Sequence, residues 1–194
     1  MTVAPRQLAF DAAETAARVS YGRLLAFLAA RFRDIESAED ALAEAFAAAL
    51  RTWPIDGAPA SPEAWLMTAA KRNLLMEARY SKVRAAFVQA ERQDVAQGGN
   101  WGDAFPDERL GLLFACAHPT VDKGMHMPLM LQTVLGLEAR QIAAAVLVSP
   151  AAMAQRLVRT KAKLREDGVP LEVPGGDEIG PRLSTVLEAI YAAY

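Results

Sequence analysis

The sequence predicts an all-α protein: two small helical domains joined by a flexible linker, the second holding a helix-turn-helix. Three observations lead there. Apolar residues recur at three- and four-residue spacing through most of the chain, and alternating β-branched or aromatic runs are hard to find. The hydrophobic share of 53% is largely alanine in helical runs. The periodicity fails between about Lys82 and Pro106, where Gln97-Gly98-Gly99-Asn100-Trp101-Gly102-Asp103 is the clearest linker in the chain.

Taken in order, residues 1–13 are weakly patterned and read as a flexible lead. From about Glu14 to Phe32, the side chains of Tyr21, Leu25, Leu28 and Phe32 share one helical face. The stretch Arg33 to Ser37 then turns the chain. Ser37 is placed to cap a helix from Ala38 to Trp53, with Leu42, Phe46, Ala49 and Trp53 inward and Asp40, Glu44 and Arg51 outward. Residues 54–62 form a Pro/Gly/Ala loop. Ser61-Pro62 restarts a helix, cap then first turn, which carries Trp65, Leu66, Ala69, Arg72, Met76, Arg79 and Tyr80.

Beyond the linker, helices are expected over Asp107–Ala117 and Lys123–Leu135, with Gly136 as a stop. Ile142, Ala143, Val146 and Leu147 form the stripe of the next helix, and Val148-Ser149-Pro150 breaks it, with Ser149 as cap and Pro150 in the first turn of another. In that last helix Met153, Leu157 and Leu164 point one way, and Ala152, Gln155, Arg156, Arg159 and Lys163 fall together on the other. Two such helices with a tight turn make a helix-turn-helix whose second helix offers a cationic face to DNA. The bland alternative is an ordinary pair of amphipathic helices with a solvated basic stripe. After Gly168 come two Pro/Gly-rich turns and a final segment with Leu183, Val186, Leu187, Ile190, Tyr191 and Tyr194 at helical spacing. Its apolar face is expected to be covered by more chain or by a partner.

Composition narrows the function classes. At 194 residues the chain has room for one large or two small domains. No apolar run is long enough for a membrane span and no secretion signal is evident, so no membrane partner and a cytoplasmic location are expected. The single cysteine, Cys116, cannot form an internal disulfide and reads as a small buried hydrophobe; with His118 and His126 the only histidines, no metal site and no cofactor are expected. Trp53, Trp65, Met125, Met127 and Met130 read as core. No enzyme is indicated, because Ser61 and Ser149 read as caps and no Gly-rich phosphate loop follows a strand. The net charge is only −2, but it is segregated. Residues 34–44 hold five acids and no base, residues 71–92 six bases against Glu77 and Glu91, and residues 138–166 six bases against two acids. One acidic and two basic blocks suit faces that meet different partners.

In this order the features resemble the extracytoplasmic-function sigma factors of bacterial RNA polymerase, over roughly residues 8 to 166. Ala38-Glu39-Asp40-Ala41-Leu42-Ala43-Glu44-Ala45-Phe46 resembles their polymerase-docking helix, and Trp65-Leu66-Met67-Thr68-Ala69-Ala70-Lys71-Arg72-Asn73 the start of their promoter-melting helix. Residues 136–165 resemble their helix-turn-helix for the upstream promoter element. The run 107–119 and Met153-Ala154-Gln155-Arg156-Leu157-Val158-Arg159 resemble one subgroup, whose members carry an additional C-terminal helical domain.

The resemblance implies domain two over 8–82, a linker over 83–106, domain four over 107–167, and the start of a C-terminal extension over 168–194. Core polymerase would be met by Asp40, Leu42, Glu44 and Phe46, since carboxylates suit an arginine-rich clamp. Melting and downstream-element contacts would fall to Lys71, Arg72, Arg79, Tyr80 and Lys82, cations for the strand backbone and an aromatic face for an unpaired base. Upstream-element contacts would fall to Ser149, Ala152, Gln155, Arg156, Arg159 and Lys163. The implied partners are core RNA polymerase and promoter DNA, with an anti-sigma factor or the C-terminal extension as candidate regulators. The implied function is transcription initiation without covalent chemistry. A divergent sigma-like interaction module that no longer melts DNA is the alternative, motivated by Ala43, Met76 and the net charge. An ordinary helix-turn-helix regulator comes third, since it would leave the first domain without a role.

Overall fold

The structure is a computed structural model that describes residues 5–80 and 106–192. All regular structure among these residues is helical, as the periodicity predicts. Three long helices come first: α1 (Pro5–Phe32), α2 (Ile35–Asp56) and α3 (Pro62–Tyr80). Five more follow: α4 (Arg109–Cys116), α5 (Lys123–Thr133), α6 (Ala139–Ala145), α7 (Pro150–Glu166) and α8 (Ile179–Ala192), with a short 3-10 turn at Gly176–Glu178.

The chain divides into two compact units, one of residues 1–20 with 37–106, the other of residues 21–36 with 107–194. This partition differs from the expected one, which places all of 8–82 together. Residues 21–36 group with the C-terminal part, and the reason is a close backbone approach. A Cβ on Gly22 would lie 2.0 Å from the carbonyl oxygen of Val134, so only glycine lets α1 reach the end of α5. Gly136, at φ +67, lies beside the ring of Tyr21 in the same way.

In the first unit the start of α1 buries a small-residue stripe of Ala9, Ala13 and Ala16. The weakly patterned lead is therefore helical from Pro5, because alanine has the highest helix propensity and its stripe carries little hydrophobic signal. Helix α2 buries Ala38, Ala41, Leu42, Ala45, Ala49 and Trp53, and α3 buries Leu66, Met67, Ala70 and Leu74. The rings of Trp53 and Trp65 meet edge to face with centroids 5.4 Å apart. The amide of Asn73 donates to the Ala41 carbonyl at 3.4 Å, and the Ser20 hydroxyl bonds the Glu63 carboxylate. Helix α2 runs on through Pro54 to Asp56 and is closed by Gly57, whose N–H donates to the Trp53 carbonyl at 2.9 Å with φ at +87.

The second unit holds the rest of α1, where Leu24 to Ala29 are buried in an unbroken run. The cap of α2 belongs here and is Asp34, not Ser37: its Oδ1 accepts from the Glu36 N–H at 3.1 Å, so the helix starts three residues before the expected Ala38. Helix α4 packs on α5, and α8 packs on both. In α4 the run Gly111 to Cys116 is buried throughout; Cys116 is fully buried as expected, its Sγ 3.6 Å from the Thr133 hydroxyl. Met125 and Met130 are core as predicted, and Met127 is half-buried.

Helix α6 opens with a capping box in which the Glu138 N–H donates to Gln141 Oε1 at 2.8 Å. It ends at Ala145, earlier than its stripe predicts. Ile142 and Ala143 are buried, but Val146 and Leu147 are 43% and 93% exposed, because Leu147 adopts φ +55 and turns the chain out of the helix. Helix α7 ends in a Schellman motif, with Gly168 N–H donating to the Arg165 carbonyl and Val169 N–H to the Leu164 carbonyl. The following strand-free segment presses Leu171 and Glu172 against Gly111, where a Cβ would lie 2.9 Å from Glu172 Cα. Val186 and Ala189 of α8 face inward, and Leu183, Leu187, Ile190 and Tyr191 are exposed. Among the described residues no single helix is long and apolar enough to cross a membrane.

Candidate nucleic-acid interface

The pair α6 and α7 is specified by its local sequence, through the caps at Glu138 and Ser149. Ser149 Oγ accepts from the Ala152 N–H at 3.2 Å, and Pro150 takes the first helical position, where the missing N–H costs nothing. Helices α6 and α7 are bent by 110° across the four-residue break between them. That angle and spacing lie in the range of helix-turn-helix units. Ile142, Ala143, Met153, Leu157 and Leu164 are buried, which fixes the rotation of α7. Its opposite side is thereby exposed, and Ser149, Gln155, Arg156, Arg159 and Lys163 all lie in solvent, with Ala152 half-buried among them. Lys161, on the inner flank, is 6% exposed and belongs to the packing of α7 rather than to its outer face.

A second cationic surface is predicted on α3, and the structure divides its members. Arg72 is exposed. Lys71 is only 7% exposed, since it falls on the flank that carries Leu74 and Ala70 inward, so its ammonium does not extend the outer face. The side chains of Arg79 and Tyr80 and the whole of Lys82 lie outside the described residues. Sequence reasoning passed over Trp65, taking it as core. It is half-buried, and with Ala64, Thr68, Ala69 and Arg72 it lines a cavity of 380 Å³ on this face. The signal was present in the seven-residue spacing of Trp65 and Arg72, two turns apart on one side of a helix.

The acidic face of α2 is divided in the same way. Asp40 and Glu44 are exposed, and Glu44 pairs with Arg51 at 2.9 Å in solvent, an arrangement that contributes little to stability. Phe46 is half-buried. Leu42 has no exposed surface at all and belongs to the core, so it does not lie on the acidic outer face. Two more acids of the same block lie within the second unit, Asp34 buried and Glu36 half-buried. Arg165 of α7 places Nη1 3.4 Å from Asp34 Oδ2 and 3.6 Å from Glu36 Oε2.

Elsewhere, no cluster of three or more His, Cys, Asp or Glu suited to a metal occurs among the described residues. The His118 imidazole is held below its usual pKa by burial and then by the charge of Arg182, against Glu178 and Asp167. Its Nδ1 lies 2.9 Å from the Thr120 hydroxyl and accepts from the Thr120 N–H at 3.3 Å. Asp107 is held below the usual carboxylate range by its hydrogen bonds from Arg109, the shortest 2.6 Å.

Comparison with known proteins bears on these surfaces. The chain is 35% identical over 170 residues to an uncharacterized protein of Rhizobium meliloti (strain 1021). The alignment covers 84% of this chain and 40% of that protein, so the chain spans about two-fifths of the length of the curated relative it matches. No solved structure matches the chain. Residues 18–84 match the family model of Sigma-70 region 2, a span that takes in α2, α3 and the second half of α1 and so supports a place for the chain among sigma-70 family factors.

Proposed function

We propose that the chain is a transcription initiation factor of the extracytoplasmic-function kind, which binds core RNA polymerase, directs it to specific promoters and assists their melting. The observation that carries the reading is the match of residues 18–84 to Sigma-70 region 2 in a chain that also bears a helix pair with a cationic outer face. The acidic face of α2, with Asp40 and Glu44, is the surface for the polymerase, supported by its charge and exposure. On α3, Arg72 offers a cation for the strand backbone, and the cavity beside Trp65 offers an aromatic wall for an unpaired base. On α7, the first turn around Ala152 approaches base edges, while Gln155, Arg156, Arg159 and Lys163 hold phosphates and set register.

Run-off transcription with core polymerase on a pool of genomic promoters tests the reading. Transcripts that depend on the added chain are the expected result. Polymerase binding without any transcript would point instead to a sigma-like interaction module, a reading that Met76 favours: it is 51% exposed on the cationic helix and brings no charge to a strand. A chain that fails to bind polymerase at all would leave a simple helix-turn-helix regulator.

A further inference from the structure

Among the described residues, the stops after α2, α5 and α7 place glycines in the left-handed region: Gly57, Gly136 and Gly168, at φ +87, +67 and +62. Helix α6 ends by the same geometry without one. The Val148 N–H donates to the Ala143 carbonyl at 3.1 Å, which closes a Schellman turn, and the residue in the left-handed position is Leu147, at φ +55. A leucine there carries backbone strain that glycine avoids. Packing does not offset it, for Leu147 is 93% exposed. Arg33, the other non-glycine residue at positive φ among the described residues, is also exposed but ends in a charge that water solvates; Leu147 ends in methyl groups.

The position of this leucine narrows its use. It lies in the break between α6 and α7, two residues before the cap Ser149, at the end of α7 that enters a groove when such a helix meets DNA. That end is poor in hydrogen-bonding groups. From Ile142 to Ala154 the only polar side chain is Ser149, whose Oγ is engaged by the Ala152 N–H at 3.2 Å. The cations Arg156, Arg159 and Lys163 begin a turn later. Bidentate recognition of guanine calls for Arg or Lys, and that of adenine for Asn or Gln. Thymine is the base that presents a methyl group in the major groove, and it is read by apolar contact. Leu147 and Ala151, both exposed, supply apolar contact and nothing else.

We infer that Leu147 is a specificity-determining residue for promoter DNA, packing on the 5-methyl group of a thymine at the leading end of α7. The inference deepens the reading of α6 and α7 as the upstream-element binder and rests on it. Contact with the base takes the leucine out of water, so DNA binding recovers the burial that the free chain forgoes at this turn. A glycine would stop α6 equally well and would read nothing.

The test uses holoenzyme formed from the full chain and core RNA polymerase, which enriches duplexes from a random-sequence pool. An enriched duplex is remade with each thymine in turn replaced by uracil, which removes the 5-methyl group and leaves the hydrogen-bonding edges unchanged. At one upstream thymine the wild type should lose affinity about fourfold, the worth of one buried methyl group. Leu147→Gly, for which φ +55 is relaxed, should bind the thymine and uracil duplexes equally at that position. Leu147→Asn tolerates the same conformation and provides a second variant. A uracil penalty that is absent, or the same in the wild type and both variants at every position, overturns the inference. So does a loss of polymerase affinity in Leu147→Gly with the thymine preference intact, which would give the leucine to a protein partner. A holoenzyme that enriches no duplex overturns the DNA-binding reading itself, and this inference with it, which is a distinguishable result.

Discussion

Gly22 lies so close to the carbonyl of Val134 that a Cβ on it would fall 2.0 Å from the oxygen. This contact joins residues 112 positions apart, and it explains why half of α1 belongs to the same unit as the helix pair. Gly22→Ala is expected to cost about 2–3 kcal/mol, since backbone atoms on both sides must move. Gly175→Ala, at an extended φ of −91 and with no atom within 4 Å of the added methyl, should be neutral or stabilising by up to about 1 kcal/mol. Urea denaturation of both variants measures the difference, and equal midpoints would show that the close approach is not kept in solution.

Leu42 and Asp40 stand two residues apart on α2 with opposite surroundings. Leu42→Ala should lower stability by about 2–5 kcal/mol, through lost burial and a cavity in the first unit. Asp40→Asn should leave the denaturation midpoint within about 0.5 kcal/mol of wild type and weaken polymerase binding, with a reduced dependence on salt. A binding loss in Leu42→Ala at a temperature where it remains folded, equal to that of Asp40→Asn, would place the contact surface elsewhere on α2.

Arg156→Ala and Arg159→Ala should each reduce the salt slope of duplex DNA binding by about one, and weaken all sequences alike. Fluorescence anisotropy across a salt series reads the slope. If both variants keep the wild-type slope, neither guanidinium neutralises a phosphate, and the outer face of α7 is an ordinary solvated stripe.

Acid sensitivity is expected from His118. Its folded pKa lies below the usual imidazole value of about 6.5, first because the ring is partly buried and then because Arg182 is near. The unfolded chain therefore takes the proton first as pH falls. Stability from the neutral ring is fully present above about 6.5 and is lost as pH drops from there through the folded pKa. Protonation at Nδ1 would also cost the bond it accepts from the Thr120 N–H. His118→Asn can keep that acceptor in an Asx-turn without titrating. Denaturation midpoints at pH 7.5 and 5.5 should fall less in His118→Asn than in the wild type, and identical falls would remove His118 from the account.

Much of the fold was legible because it rests on local chemistry. Ser149-Pro150 starts α7, Ser61-Pro62 starts α3, and the spacing of Met153, Leu157 and Leu164 sets which side of α7 meets solvent. Those signals act within one or two turns, so no distant contact could overrule them. The errors fall where the deciding group was near in sequence but ambiguous. Asp34 and Ser37 are both good caps, and burial of Asp34 beside Arg165 favoured the first. Val146 and Leu147 continue the apolar stripe of α6, yet the left-handed turn at Leu147 carries them outward.

Helicity, the starts of α3 and α7, and the separation of acidic from basic residues were readable from the order of amino acids alone. These follow from propensity, capping and period, which need only neighbouring residues. Long-range packing, by contrast, sets the cavity beside Trp65, draws Leu42 and Lys71 off the outer faces, and brings Arg165 to Asp34. Periodicity states that a side is buried but never against what. Here a glycine with no side chain of its own decides the partner, by letting one backbone touch another.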